Sequence, residues 1–329
     1  MNRKSYFVFR TAQTVLLLWF LLTFLFFFFR LMPGSFTDIM LQQGASEEAV
    51  AAFRQQWGLN DPLYIQYFRY LANFLQFNFG TSIQFRTSVI DHVGLRIFNS
   101  FILIAPAITV AYILGSTFGT VLGTQRGSAL EKHGLVPFIL FASVPSFFLA
   151  IVAVVVFSGW LGWFPSFGMI TPDTYTAFRD APFWRPYLTG DFLSHYVLPF
   201  CVIILRYTYL PLLIMRTSVV ETIGQEFTFY HRLSGLPKSN QLRHIAKHSI
   251  LPVVTLYPVS MTRAIGGLVL IESVFNWPGI GFTLVQAVLA RDFPVVQFVF
   301  FLVAAFIIVA NFAVDTLYGV IDPRVSVDA

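Results

Sequence analysis

Two arginines sit where an apolar chain should carry none. Arg206 interrupts the apolar run of about 195–215, and Arg263 interrupts that of about 250–273. A guanidinium at bilayer depth costs at least ~2.5–3.5 kcal/mol on insertion scales, so it must face water, an anion or a paired acid. Two chemistries follow. Arg206 and Arg263 line a hydrated route and attract a carboxylate, or they pair with Glu272, Asp315 or an acid on another subunit. Glu272 closes the second run and joins the two arginines as a candidate for the route.

Other residue types argue by elimination. His244 and His248 stand at i, i+4 on an expected helix, a spacing a metal uses. Their neighbours Arg243 and Lys247 favour a solvated basic face instead. The chain has no GxxxxGK[ST], no HExxH and no GxSxG. Its single cysteine, Cys201, allows no disulfide within the chain and reads as a small hydrophobe. No resident cofactor or metal is expected. A secondary transporter working alone would carry coupling-ion acids at mid-membrane, whereas Glu272 and Asp315 lie near the ends of their runs. A membrane-embedded enzyme would gather a His/acid or Ser/His cluster at one depth, and the sequence shows none.

The elements that position these residues are membrane helices. Hydrophobic residues make up 56% and charged residues 11%, against about 25% charged in soluble chains. Crossing hydrocarbon takes roughly 20 apolar residues. Six stretches qualify, at about 11–31, 98–124, 134–159, 195–215, 250–273 and 294–318. The first is too long for the apolar region of a signal peptide, and no small-x-small site follows it. Cationic residues concentrate in short connections on one side, which puts both termini in the cytoplasm. The net charge of +5 is therefore read as topology, not as nucleic-acid binding.

The first outer loop, 33–97, is long enough to fold. Ser46 opens a helical run to Trp57, Gly58–Pro62 breaks it, and Tyr64 to Phe77 resumes helical spacing. An amphipathic hairpin on the outer face is expected. The second outer loop, about 160–194, is rich in Pro, Trp and Tyr, which suits the headgroup level.

The longest inner loop, 216–250, carries a helix with Phe227, Tyr230 and Leu233 as apolar positions. Gly235 supplies a left-handed stop and Pro237 prevents continuation. A second, basic helix runs from about Ser239 into the fifth span. On the residues alone, the first helix is either a docking element for a cytoplasmic partner or a plain interfacial helix.

At this point the chain resembles a known family along nearly its whole length: the membrane permease subunits of ABC importers, in the dipeptide, oligopeptide and nickel branch, first-permease type. The resemblance rests on Arg30-Leu31-Met32-Pro33-Gly34, Gly58-Leu59-Asn60-Asp61-Pro62-Leu63 with Tyr67 and Tyr70, and Phe79-Gly80-Thr81-Ser82. Arg216-Thr217-Ser218, Gly235-Leu236 and His244 to Pro252-Val253-Val254 follow. Most specific are Glu272-Ser273-Val274-Phe275-Asn276-Trp277-Pro278-Gly279-Ile280-Gly281 and Ala290-Arg291-Asp292-Phe293-Pro294-Val295-Val296-Gln297. Asp315, Tyr318 and Asp322-Pro323-Arg324 close the match.

The resemblance implies an all-α, multi-pass protein of the plasma (inner) membrane. Residues 1–32 would hold the first span, 33–97 the outer helical loop, and 98–329 the permease core. It implies import of di- or oligopeptides along a path shared with a second homologous permease. Two cytoplasmic ATPase subunits would hold ATP and Mg, and an extracytoplasmic binding protein would deliver cargo. The loop helix, with Glu226, Phe227, Tyr230, His231, Leu233, Gly235 and Leu236, would insert into a groove on an ATPase. Relatives carry small Ala residues where this chain has His231 and Leu233, and Tyr where it has Phe227. The stretch from Gly235 to Pro252 is about one residue shorter than in the family. Docking is therefore specialised to a particular ATPase, or weakened.

Overall fold

The computed structural model describes residues 3–31, 41 and 47–321. The expectations for Met32–Gly34, for the Ser46 cap and for Asp322–Arg324 lie outside the described residues, as does the side chain of Asp315. Among the described residues the only extended pairing is a bridge between Thr81 and Ser88. The rest is helix and short connections, so the all-α expectation holds.

The helices run in order: α1 (Arg3–Leu31), α2 (Glu47–Trp57), α3 (Leu63–Leu75), α4 (Val89–Thr124) and α5 (Ala129–Ser143). Then come α6 (Ser146–Ala153, prolonged as a π-helical turn over Val154–Trp160), α7 (Pro172–Ala177), α8 (Gly190–Tyr207) and α9 (Tyr209–Ile223). Last are α10 (Glu226–Leu233), α11 (Lys238–Ser249), α12 (Leu251–Phe275), α13 (Ile280–Leu289) and α14 (Phe293–Ile321).

Among the described residues five segments are long and apolar enough to cross a bilayer: Ser5–Leu31, Val89–Thr124, Gly190–Ile223, Leu251–Phe275 and Phe293–Ala313. The span expected at about 134–159 is a bent pair. α5 and α6 meet at Val144–Pro145 with a bend of 100°. A residue before proline is pushed out of the helical region, and Val144 is extended at φ −86°, ψ 137°. Pro145 in turn caps the start of α6. The sixth candidate span is thus a broken pair of helices. The fourth crossing also has a break, at Thr208. Pro211 has no N–H for the Tyr207 carbonyl, so the helix interrupts one turn ahead of it.

The chain divides into two compact units, residues 1–98 with 283–329, and residues 99–282. In the first, α1 packs along α14, and α3 lies against α1. Thr23 and Tyr67 share a hydroxyl hydrogen bond of 2.7 Å, and Arg30 Nε donates to Gln66 Oε1 at 2.9 Å. The Arg30 guanidinium lies 3.8 Å over the Phe26 ring. The outer hairpin is thereby anchored on the first span. Much of α1 is exposed apolar surface, including Trp19, Phe20, Phe24 and Phe28, which suits contact with lipid.

In the second unit, α6 packs on α12 and α8, and α9 packs on α11 and α12. Gly115, Gly119 and Gly123 form a stripe down α4. A Cβ at any of them would overlap α9, at the Thr208, Leu212 and Arg216 backbone. Small residues at four-residue spacing let two membrane helices approach backbone to backbone. Helix α5 is tied to α9 by charge. Arg216 donates through Nε at 2.7 Å, and again through Nη2, to Glu131 Oε1. Glu131 Oε2 accepts from the Gly127 N–H, and Ser128 Oγ caps the Glu131 N–H.

Candidate functional site

The loop helix α10 is pinned at both ends. At its start Thr228, buried, donates to the Ile223 carbonyl at 2.7 Å. At its end Gly235 has φ +66°, and the Leu236 N–H reaches back to the His231 carbonyl at 3.2 Å. That is the Schellman stop. Gln241 Nε2 donates to the Leu236 carbonyl at 2.6 Å, which fixes α11 against the stop. Ser249, fully buried, donates to Thr222 Oγ1 at 2.8 Å, so α11 is locked to the end of α9.

The apolar positions of α10 do not share one face. Phe227 turns inward, with its ring 4.8 Å from His248 and 5.4 Å from His231. His231 in turn stands edge-on to His244 at 4.9 Å. Phe229, Tyr230 and Leu233 point outward at 59%, 64% and 68% exposure. The outward face is therefore Phe229, Tyr230 and Leu233. Phe229 escaped the sequence reading, although its i, i+4 spacing to Leu233 contains it. Glu226 is exposed at the start of α10. His244 and His248 contact aromatic rings, and no group of three metal-ligating side chains forms among the described residues.

Arg206, Arg263 and Glu272 all lie in the second unit, but their settings differ. Arg263 is exposed at the middle of α12. Beneath it the Tyr112 hydroxyl meets Ser260 Oγ at 2.5 Å and the Leu256 carbonyl at 3.0 Å, joining α4 to α12. Thr109 and Tyr257 add a second hydroxyl bridge of 2.8 Å. Arg206 is half-buried near the end of α8, with its guanidinium 5.8 Å from the Tyr207 ring.

Glu272 needs a correction. It is 0% exposed and presents nothing to a route. Its carboxylate accepts from Ser100 Oγ at 2.5 Å and from the Phe282 N–H at 3.0 Å. Ser100 Oγ also accepts from the Ile280 N–H at 2.8 Å. A Cβ at Gly279 would overlap the carboxylate, so only glycine fits there. Asn99 closes the turn. Its Nδ2 donates to the Pro278 carbonyl at 2.7 Å, and its carbonyl accepts from Trp277 Nε1 at 3.0 Å. Its Oδ1 accepts from the Tyr187 hydroxyl at 2.5 Å. Burial pushes the Tyr187 phenol up to about 12, so it remains a donor at neutral pH. Glu272 is thus the hub on which the Trp277–Gly281 turn is folded.

Comparison with known proteins places the whole architecture. Residues 115–327 match the family model described as binding-protein-dependent transport system inner membrane component, and residues 4–87 match its N-terminal companion. The chain belongs to this family. A putative peptide permease protein of Brucella suis is 34% identical over 307 residues, covering 92% of this chain and 93% of the relative. An oligopeptide transport system permease protein of Bacillus subtilis is 29% identical over 332 residues, 98% and 99% of the two chains. A glutathione transport system permease protein of Salmonella paratyphi A is 29% identical over 301 residues, 91% and 92%. The chain is a multi-pass inner-membrane permease subunit of an ABC importer.

In this permease the sequence stretches that carry the family likeness have physical work. Besides the Glu272 hub, the first unit holds a second buried carboxylate, Asp292, 1% exposed. It accepts from Ser82 Oγ and from the Ile83 and Gln84 N–H groups, each at 3.2 Å. The Phe79–Ser82 and Ala290–Gln297 stretches thus close on one another, and Phe79 packs against Phe298, the rings tilted by 39° with centroids 4.2 Å apart. Buried carboxylates held by hydroxyl and amide donors organise both turns of the permease.

Proposed function

We propose that this permease subunit imports di- or oligopeptides, sharing its translocation pathway with a second homologous permease. Two cytoplasmic ATPase subunits hold ATP and magnesium, one of them docks on α10, and an extracytoplasmic binding protein delivers the peptide. The observation that carries this reading is the outward face of Phe229, Tyr230 and Leu233 on a helix pinned at both ends. An interfacial helix needs no such bracing. A helix that must pass force from a partner to the spans does.

The route of that force is continuous. Thr228 ties α10 to the end of α9, and Phe227 packs on His248 of α11. Helix α11 leads through Ile250 into α12, which carries Arg263. Closure of the ATPases would move α10 and, through α9 and α11, tilt α12. Arg206 and Arg263 are the side chains we assign to the pathway. The peptide assignment is supported by the relatives, whose names read peptide, oligopeptide and glutathione permease.

The test is reconstitution. In proteoliposomes the full assembly, with binding protein, hydrolyses ATP and accumulates a labelled tripeptide. The subunit alone does neither, because it has no phosphate-cradling loop. ATP turnover by the isolated subunit, free of contaminants, would sink the division of labour. Peptide accumulation without ATP would favour a stand-alone secondary transporter.

A further inference from the structure

Arg263 stands at the midpoint of α12, a 25-residue apolar helix, and is exposed. Among the described residues no acid lies within ion-pair distance of it. Glu272, the acid nearest in sequence on the same helix, is roughly 13 Å further along the axis, and hydroxyl and amide donors occupy its oxygens. A lone guanidinium at this depth requires water or an anion beside it.

The surface next to it is open. Gly266 lies one turn on, on the same face, and a Cβ there would meet nothing within 4 Å. The backing is rigid, since Tyr112 and Ser260, both buried, lock α12 to α4 one turn before Arg263. An exposed guanidinium beside open surface can hold a carboxylate by two parallel N–H donations.

The geometry points to Arg263, with the open surface at Gly266, as a mid-membrane site that selects solutes bearing a free carboxylate. This rests on the importer reading above. The rival occupant is Asp315 or an acid on the second permease, which would leave no charge for cargo.

Two measurements on the full assembly decide it. The first places a reporter thiol at Gly266→Cys, where the side chain has room, in a Cys201→Ala background that removes the exposed native thiol. A negatively charged thiol reagent should react about tenfold faster than a positively charged one of the same size, and Arg263→Met should erase the difference. Equal rates before that substitution would mean Arg263 is already neutralised, and would overturn the proposal. So would no labelling in any nucleotide state.

The second compares uptake of a tripeptide with that of its C-terminal amide. Arg263→Met should cut uptake of the free acid about tenfold and leave the amide unchanged. An unaltered preference for the acid would overturn the proposal. Uptake of neither form by the unsubstituted assembly would instead sink the importer reading, while the labelling contrast stands independently of it.

Discussion

Glu131 and Arg216 show how one buried ion pair joins two broken helices. Glu131 is 4% exposed, and its two oxygens serve the Arg216 guanidinium and the Gly127 N–H. Removing one charge of such a partly buried pair leaves the other without its partner. Glu131→Gln should therefore lower the unfolding temperature of the detergent-solubilised subunit. Adding Arg216→Gln should restore part of the loss, because the orphaned charge is gone. An unchanged melting temperature for Glu131→Gln would show that the pair contributes nothing net. Arg216 was legible in sequence as part of a family stretch, but its partner was not. Glu131 lies 85 residues away, and no local spacing links them. Glu272 failed in the other direction. Its place at the end of an apolar run suggested a route, yet the hydroxyl of Ser100 and the turn that follows enclose it. Only the tertiary fold reveals which donors reach a carboxylate.

At the scale of elements, the left-handed helix stops separate what a sequence tells from what it conceals. Gly58 and Gly235 have φ of +61° and +66°, and both were readable because glycine adopts that region without strain. Phe77, Asn276 and Arg291 end helices at φ of +57°, +52° and +53°. Their stops carry the same backward hydrogen bonds, as from Trp277 N–H to the Glu272 carbonyl at 2.8 Å. A side chain costs something there, and tertiary contacts outweigh it, so at Phe77 and Arg291 the residue type gave no signal, whereas Asn276 is a type that tolerates the region. The Val144–Pro145 break has its signal in Pro145 itself, but the apolar run around it gives no measure of the 100° bend. The glycine stripe of α4 was legible by its four-residue spacing and simply passed unread. Gly235 is the stop that function depends on in our reading. Gly235→Val should strain it by about 1–2 kcal/mol, since valine is disfavoured in the left-handed region. No atom crowds the position, so insertion should be normal and the effect confined to α10. Membrane levels should match the parent while ATP-driven uptake falls severalfold. Full uptake with normal ATPase binding would remove α10 from the coupling route.

For the whole molecule the open question is how often the chain crosses the membrane. Five helices pass on length and composition, and the α5–α6 pair adds a sixth crossing only if both limbs together traverse the bilayer. Charge argues that they do. Arg126 and Lys132 flank the start of α5, and Arg232, Lys238, Arg243 and Lys247 crowd the loop after α9. Cationic short loops collect on the cytoplasmic side. The connection between α6 and α8 instead exposes Trp160, Trp163, Tyr175 and Trp184, the side chains that favour a membrane–water interface. If α5–α6 crosses, Gln125 and Ser239 lie inside and Tyr175 outside. Each position is exposed, so each accepts a cysteine in a Cys201→Ala background. A membrane-impermeant thiol reagent added to right-side-out vesicles should then label Tyr175→Cys alone. In inside-out vesicles it should label Gln125→Cys and Ser239→Cys. Labelling of Gln125→Cys and Tyr175→Cys from the same side would make α5–α6 a re-entrant hairpin. The crossing count would then be odd, and the two termini would face opposite sides, against a cytoplasmic placement of both.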